Sequence, residues 1–364
     1  MNMSRASAFQ KFRRNKLAIA GCVFTALLFI VMIGGCWIRP DSTPFANNQH
    51  LVLSTLKPGS VVSFIRLKHD VPSENFLMQW IHGGAPLPYE EIPVHSIELS
   101  NNTLRVHAYD VMWQEKFPDG IEFNKLCRHN GQASEDDFIY TRCYILGTDK
   151  YGRDVLSRLM AGTSVSLMVG MIAVMISLII GLSVGLIAGY YRGWADAALM
   201  WLTNVVWAIP TLILVMAITF SLGSGLTVVF IAVGLTMWVD VARLVRGQAL
   251  SVREKEYIEA AKAVGNSDFR ILSRHILPNI ISPVIVLAAS NFASAILVEA
   301  GLSFLGLGAQ IPQPSWGNMI REHYSFLATD LAYLAFAPGV LMMLLVLSFM
   351  LIGNGLRDAL DVRS

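Results

Sequence analysis

Charged side chains are scarce in this sequence. Of its 364 residues, 15% are charged and 54% are hydrophobic, whereas an average soluble domain carries about 25% charged residues. So little charge predicts a membrane protein. The 28 basic and 26 acidic residues nearly cancel, for a net charge of +2, and nucleic-acid binding requires a clustered basic surface. We therefore expect no nucleic-acid partner.

Motifs for metal, redox or ATP chemistry are also missing. The four cysteines include no CxxC pair, which argues against a zinc or redox motif. No P-loop GxxxxGK[ST] occurs, so ATP hydrolysis is not expected in this chain. Six of the eight histidines lie between residues 39 and 150, but their spacing matches neither HExxH nor a Cys/His zinc pattern. We expect no catalytic residue, no metal site and no cofactor here.

Long apolar runs are what the sequence has instead. A helix needs about 20 apolar residues to cross a bilayer, and it satisfies its backbone polar groups within the segment. Six runs reach or approach this length without a charged residue, namely Leu17–Ile38, Val165–Ala188, Ala197–Phe220, Leu222–Val239, Ile280–Val298 and Leu331–Gly353. The predicted fold class is an all-α polytopic membrane protein with six transmembrane helices. Pro210 and Pro283 lie inside two of these runs and predict kinks there.

The distribution of basic residues predicts the orientation of these helices, because Lys and Arg near the ends of spans favour the cytoplasmic side. Residues 1–16 carry five basic and no acidic side chains, and the segment between the fourth and fifth runs carries seven basic side chains. Six crossings place both with the C-terminus in the cytoplasm. The expected organisation is a cytoplasmic N-terminus 1–16, a first helix 17–38, an extracytoplasmic insert 39–160 and a core 161–364 with five more helices.

The insert is predicted to be small and β-rich. Ser96–Leu99 and Leu104–His107 alternate apolar and polar residues on either side of Asn101-Asn102, which indicates a hairpin. Val61–Ile65 predicts a further strand.

Two cysteines of the insert are candidates for a disulfide. Cys127 and Cys143 face an oxidising compartment under this topology, and they are the only cysteines outside the first helix, which has Cys22 within it and Cys36 near its end. A bond between Cys127 and Cys143 is therefore an expectation. A lipoprotein-type signal ending at Cys36 is an alternative for the N-terminus, but the apolar run exceeds the usual 7–15 residues of a signal core.

Residues 250–278 are the most informative stretch outside the apolar runs. Tyr257, Ala260, Ala261 and Val264 fall at positions i, i+3, i+4 and i+7, on one face of a helix. A face with two alanines allows a partner to approach closely. The alternative is an amphipathic hairpin that packs only on its own helix bundle.

A glycine divides this stretch. Gly265 predicts a helix end, where a left-handed residue is favoured. Asn266 or Ser267 is expected to cap a second helix, and Pro278 is expected to end it. Glu259 is spaced for ion pairs with Lys255 and Lys262.

The run Glu259-Ala260-Ala261, followed by Gly265 and by Leu277-Pro278, resembles the EAA motif of ABC-importer permeases. Other segments resemble the peptide-permease branch of that family, in the same order along the chain: residues 146–158, 188–190, 242–246, 299–308, 314–317 and 356–361. The resemblance is loose over residues 1–38 and close over 145–364. It points to the C-type permease of dipeptide or oligopeptide importers.

This resemblance implies a type I permease fold and a set of partners. The partners would be a second, homologous permease, two cytoplasmic ATPase subunits that hold ATP and magnesium, an extracytoplasmic substrate-binding protein and membrane lipid. The residues implied in coupling to the ATPases are Tyr257, Glu259, Ala260, Ala261, Gly265, His275, Leu277 and Pro278. Related cargoes such as nickel chelates or peptide antibiotics remain alternatives to peptides.

Two other classes of protein fit less well. A channel or secondary transporter commonly places ionisable residues within its spans, but the six runs have none. A membrane-anchored enzyme or receptor would need its active domain in residues 39–150, which contain no catalytic motif.

The predicted topology is testable with cysteine probes at two engineered positions. We expect a probe at Ser364 to be labelled only from the cytoplasmic side and a probe at Asn101 only from outside, because an even number of spans separates the two chain ends. Labelling is compared in sealed right-side-out and inverted membrane vesicles. Modification of Ser364 from outside would refute the topology.

Overall fold

Long helices account for most of this computed structural model, which describes residues 10–69, 75, 79, 83–100, 103–118, 120–127, 138–223 and 225–360. Within these residues, five helices are long and apolar enough to cross a membrane, and a bent pair supplies a sixth candidate span. In chain order the helices are α1 Lys16–Ile38, α2 Val111–Lys116, α3 Val155–Tyr191, α4 Gly193–Trp207, α5 Thr211–Leu222, α6 Leu226–Arg253, α7 Glu256–Ala263, α8 Asp268–Phe304, α9 Trp316–His323 and α10 Tyr333–Leu360. The predicted helical membrane fold is confirmed.

The predicted third span is broken rather than kinked. Helices α4 and α5 meet at 91° across a short break. Proline lacks a backbone N–H and disfavours helical geometry in the residue before it. Pro210 itself has φ −54° and ψ 128° and precedes α5. The chain therefore leaves the helix after Trp207 and begins another at Thr211.

Helices α3 and α6 pack most closely, along three glycines of α3. A Cβ at Gly181 would lie 2.5 Å from Cβ of Val241, and one at Gly185 would lie 2.7 Å from Cβ of Val245. Gly189 is packed in the same way against α6. The four-residue spacing keeps the glycines on one face, and small residues there allow two membrane helices to approach closely.

Helices α1 and α10 make a second close contact. A Cβ at Gly355 would lie 2.4 Å from Cβ of Ala18, and one at Gly21 would lie 2.8 Å from the carbonyl oxygen of Ser348. The start of α1 is therefore beside the end of α10, so the described chain ends lie on the same side of the helix bundle.

The described residues of the insert form a five-stranded antiparallel sheet. Its strands are β1 Ser60–Lys68, β2 Tyr89–Ser100, β3 Thr103–Ala108, β4 Ile121–Glu122 and β5 Tyr140–Tyr144, arranged in the order β4-β3-β2-β1-β5. The predicted hairpin forms, since Ser100 pairs with Thr103; its turn at 101–102 lies outside the described residues, as do 1–9 and 361–364. The predicted strand at Val61–Ile65 lies within β1.

The predicted disulfide between Cys127 and Cys143 is wrong for this fold, and both are free thiols. Cys143 is paired with Val61, whereas the N–H of Cys127 donates to the carbonyl of Arg66, 2.8 Å away. Five residues of an extended strand separate these two positions by about 17 Å. A disulfide requires Cα atoms within about 7 Å, so the sheet itself keeps the two cysteines apart.

The insert and residues 250–278 lie at opposite ends of α3. This helix begins at the end of the insert and spans 37 residues, or about 55 Å at 1.5 Å per residue. At its far end the hydroxyl of Tyr190 donates to Asp268 at 2.6 Å. We call these two ends of the bundle the insert side and the coupling side. The second name refers to residues 250–278, the coupling segment, whose role in coupling is a prediction.

The cysteine arrangement gives a direct test of the sheet register. We expect iodoacetamide to modify both Cys127 and Cys143 in the unreduced protein, because no bond protects them. Cys36, which is buried in α1, is the control for slow modification. Mass spectrometry of the peptides provides the measurement. Recovery of a peptide pair linked through Cys127 and Cys143 would contradict the register.

Candidate functional site

The coupling segment is anchored by an apolar core of its own. Two residues separate the end of α6 from the start of α7, so the connection between them is short. Ile258 of α7 is fully buried and clusters with Val252 of α6 and with Ile271 and Ile276 of α8. This cluster fixes the position of α7 on the ends of α6 and α8.

The predicted face of α7 is divided between the interior and the surface. Ala261 is 8% exposed and belongs to the buried cluster, whereas Tyr257 and Val264 are 41% and 83% exposed. Ala260 is also exposed. The prediction that both alanines face a partner is therefore wrong for Ala261, because Ile258 and Ala261 form the inward stripe at i and i+3.

Gly265 ends α7 in the predicted way. Its φ is +84°, which is the left-handed region that favours glycine. Its N–H donates to the carbonyl oxygen of Lys262, and the N–H of Asn266 donates to the carbonyl oxygen of Ala261. These two bonds are the Schellman arrangement, which satisfies carbonyls at a helix end. No atom would touch a Cβ at Gly265, so its requirement is conformational and not steric.

Pro278 does not end the second helix, contrary to prediction. Helix α8 runs without a break from Asp268 to Phe304, over 37 residues. Residues Ile271–Ile276 form a wider π-helical turn before the proline. A proline removes one helical hydrogen bond, and a π-type turn is one way in which a helix accommodates such an irregularity. His275 and Leu277 are half-buried on this helix and Pro278 is exposed.

Glu259 makes no ion pair with Lys255 or Lys262 within residues 225–360, all of which are described. Its side chain is exposed. Lys262 instead lies over the ring of Tyr190, with Nζ 5.0 Å from the ring centre. The predicted helix-surface ion pairs are therefore absent, and the lysine contributes to anchoring.

Polar contacts that the sequence did not predict connect the coupling side to the broken span. Arg246 of α6 binds Asp196 of α4 through two hydrogen bonds of 2.5 and 2.6 Å. Arg243 donates to the side-chain oxygen of Asn204 at 2.7 Å. A two-point pair between arginine and carboxylate is directional as well as strong. The only sequence feature that indicated this contact was Asp196, an acidic residue in the first turn of α4.

An exposed apolar surface remains on the coupling side. Tyr257, Ala260, Val264 and Phe269 contribute to it, and Phe269 is 80% exposed. Aromatic and aliphatic side chains grouped outside a bundle commonly mark a binding surface. We call these four residues the coupling surface.

A second group of polar residues fixes the insert to the bundle. The guanidinium of Arg153 is almost fully buried and binds Asp149 at 2.6 Å and Glu322 of α9 at 2.8 Å. Arg158 lies 3.8 Å from the same Asp149 carboxylate. Separating α9 from the segment before α3 would leave a buried charge without its partner, which is strongly destabilising. The ion pair between Arg153 and Glu322 therefore holds the two segments together.

The same group includes side chains of the kinds that ligate metals. Asp149, Glu322 and His323 place ligand atoms within 4.8 Å of one another. Both carboxylates bind Arg153, and Asp149 also lies 3.8 Å from Arg158. Burial lowers the pKa of His323, which keeps the imidazole neutral. The ion pairs with arginine give the two carboxylates a structural role.

Close backbone packing completes this junction. A Cβ at Gly152 would lie 1.8 Å from the carbonyl oxygen of His50. The hydroxyl of Thr148 accepts from the N–H of Leu56 at 2.8 Å. Asp154 caps α3 by accepting from the N–H of Ser157 at 2.9 Å, and burial raises the pKa of its carboxyl. The glycines of residues 147–152 thus allow the insert to lie directly on the start of α3.

Comparisons with known proteins agree with this architecture. The family described as binding-protein-dependent transport system inner membrane component matches residues 181–363. The N-terminal TM domain of oligopeptide transport permease C matches residues 5–58.

Two curated relatives are similar over most of their length. The glutathione transport system permease protein GsiD of Pectobacterium atrosepticum is 43% identical over 216 residues, which cover 59% of this chain and 71% of the relative. The dipeptide transport system permease protein DppC of Alkalihalophilus pseudofirmus is 45% identical over 215 residues, covering 59% and 70%. A solved inward-facing MetNI methionine ABC transporter chain aligns with a TM-score of 0.48 and 19% identity over 57% of this chain and 96% of that chain.

The helical membrane fold and the sequence matches together define a permease subunit of an ABC importer. The chain belongs to the family of binding-protein-dependent transport system inner membrane components, and it is a multi-pass protein of the inner membrane.

The two alanines of α7 should respond differently to the same substitution. We expect Ala261→Trp to lower the thermal unfolding temperature, since overpacking a core costs about 1–3 kcal/mol. Ala260→Trp is the matched control and should leave stability within about 0.5 kcal/mol, because its side chain is exposed. Unfolding is followed by circular dichroism in detergent. Equal destabilisation by both variants would contradict the inward placement of Ala261.

Proposed function

We propose that this chain imports small peptides together with a second, homologous permease, and that its coupling surface binds one of two ATPase subunits. The observation that carries this proposal is the exposed apolar surface of Tyr257, Ala260, Val264 and Phe269 on a rigidly anchored helix. Relatives named for glutathione and dipeptide transport support peptides as the cargo. Nickel chelates and peptide antibiotics are the alternative cargoes.

The coupling side faces the cytoplasm in this proposal. Residues 250–278 and the N-terminal residues 1–16 are rich in Lys and Arg, which favours the cytoplasmic side. Packing of α1 on α10 supports placing both chain ends there. The insert then faces outward, where the substrate-binding protein delivers its cargo.

The chain itself has no catalytic role in this scheme. ATP and magnesium are bound by the partner ATPase subunits, and the permease supplies the path and the mechanical coupling. His275, Leu277 and Pro278 act by continuing the helix from the coupling segment into the membrane, and Glu259 contributes a charge beside the coupling surface.

Helix α8 is the element that carries motion across the membrane. It is continuous from Asp268, beside α7, to Phe304 on the insert side. There the hydroxyl of Ser303 donates to Glu299 at 2.6 Å and lies 3.1 Å from the hydroxyl of Ser315. Displacement of α7 by an ATPase would therefore reach the loop 305–315 as movement of a rigid body.

The coupling surface is tested by two substitutions in the assembled importer. We expect Ala260→Trp to block docking sterically, and Gly265→Val to misplace the start of α8, because a β-branched residue resists a φ of +84°. Both variants should insert normally yet lose ATPase association and peptide uptake. The affinity for the ATPase should fall about tenfold for each 1.4 kcal/mol of binding free energy lost.

The measurements are co-purification of the permease with its ATPases and ATP-dependent peptide uptake in proteoliposomes. Ala328→Trp is the matched control, because Ala328 is exposed on the insert side, and both readouts should stay normal. Normal association and uptake in the Ala260 and Gly265 variants would remove the role assigned to the coupling surface.

A further inference from the structure

A polar cavity of about 260 Å³ lies on the insert side, between the segment before α3, the loop after α8 and helix α9. Its lining includes Lys150, Tyr151, Gln310, Asn318, Arg321 and Glu322. The volume is just below the roughly 300–1,000 Å³ of sites that enclose a drug-sized ligand. The cavity is thus sized for the end of a small molecule and not for a long chain.

The charges around this cavity do not cancel. Asp149 and Glu322 are balanced by the buried guanidinium groups of Arg153 and Arg158. Among the residues that the structure describes, no carboxylate oxygen lies within 4.0 Å of the Lys150 ammonium or the Arg321 guanidinium. Two positive charges in the wall of one small cavity therefore have no ion-pair partner within the described part of the chain.

The position of Arg321 is set by the loop after α8. Gly306 has φ +87°, and a Cβ there would lie 2.7 Å from Nη1 of Arg321. The guanidinium therefore lies against the backbone at a point that only glycine leaves open. Gln310 holds the loop by donating from Nε2 to the carbonyls of Gly306 and Gly308, at 3.3 and 3.1 Å.

Asn318 adds an amide to the same cavity. The residue is 6% exposed, and its backbone N–H is satisfied by the hydroxyl of Ser315 at 3.1 Å. Its side-chain amide has no hydrogen-bond partner among the described residues. Because Asn318 lines the cavity, its amide is available to a ligand with a hydrogen-bonding group.

We propose that this cavity binds a carboxylate of a small peptide as the substrate enters the importer. The cavity offers the guanidinium of Arg321, the ammonium of Lys150 and the amide of Asn318. All three are hydrogen-bond donors that can bind a carboxylate. The proposal rests on the proposed function, which makes small peptides the cargo. The loop after α8 forms one wall, so binding here occurs at the end of the helix that carries motion from the coupling segment.

Protection of Lys150 from acetylation tests this proposal. The complete importer complex, in nanodiscs of phosphatidylcholine, is treated with an N-hydroxysuccinimide acetate, and the modification rate at Lys150 is measured by mass spectrometry. Lys125, an exposed lysine of the insert, is the internal control. We expect millimolar dialanine to slow acetylation of Lys150 severalfold and to leave the acetylation rate of Lys125 unchanged. Dialanine amide should not slow acetylation of Lys150, because it lacks the free carboxylate.

Two variants test whether the protection of Lys150 arises from binding in the cavity. Arg321→Gln should abolish it, whereas Arg105→Gln, a change at an exposed arginine of β3, should retain it. Absence of protection, or equal protection by dialanine amide, would overturn the proposal. So would protection by phosphatidylglycerol nanodiscs without peptide, which would identify a lipid headgroup as the occupant.

Failure of this inference is distinguishable from failure of the proposed function. ATP-dependent uptake of dialanine is measured on the same complex supplied with its binding protein. Uptake with Lys150 unprotected would overturn the carboxylate site and leave the importer function standing. Protection of Lys150 without any ATP-dependent uptake would support the site and contradict peptide import.

Discussion

Close contact between α3 and α6 is the constraint on which the rest of this molecule depends. Lipid tails are as apolar as leucine, so two membrane helices gain no hydrophobic driving force by meeting and depend on close packing. Gly181, Gly185 and Gly189 allow that packing, because a Cβ at any of them would overlap α6. Since α3 carries the insert at one end and α6 leads into the coupling segment at the other, this contact sets their relative position.

The broken span and α8 give the bundle one bent and one continuous element. Pro210 ends a helix and produces the 91° bend, whereas α8 continues through Pro278 and Pro283. A π-helical turn precedes Pro278 within the helix, whereas Pro210 itself has a non-helical ψ of 128° and so turns the chain away from the helix axis. A continuous α8 is what makes rigid coupling across the membrane physically reasonable.

The insert is a structural part of the permease and is not a domain on a flexible tether. Its chain contacts the bundle through the Arg153 ion pairs, the Gly152 contact with His50 and the bond from the Tyr333 hydroxyl to the carbonyl of Leu56. The segment before α3, the loop after α8 and helix α9 therefore form one continuous wall. The proposed carboxylate site lies in that wall, where no described carboxylate pairs with Lys150 or Arg321.

Much of this protein could be predicted from its sequence. The apolar runs, the hairpin around residues 101–102 and the helix end at Gly265 are local features, and local features follow from hydrophobic length, alternation and backbone preference. The EAA-type motif and its ordered neighbours indicated the family, which the comparisons confirm. The roles assigned to the coupling residues remain predictions.

Tertiary structure alone decided the features that depend on distant contacts. The inward placement of Ala261 depends on Ile271 and Ile276 of α8, and spacing within α7 could not show which side those residues would cover. The separation of Cys127 from Cys143 is a consequence of strand register in the sheet. Arg153 pairs with Glu322, 169 positions away in the sequence, whereas Lys150 and Arg321 have no ion-pair partner among the residues that the structure describes. No local sequence pattern predicts which of several charged residues will form such pairs.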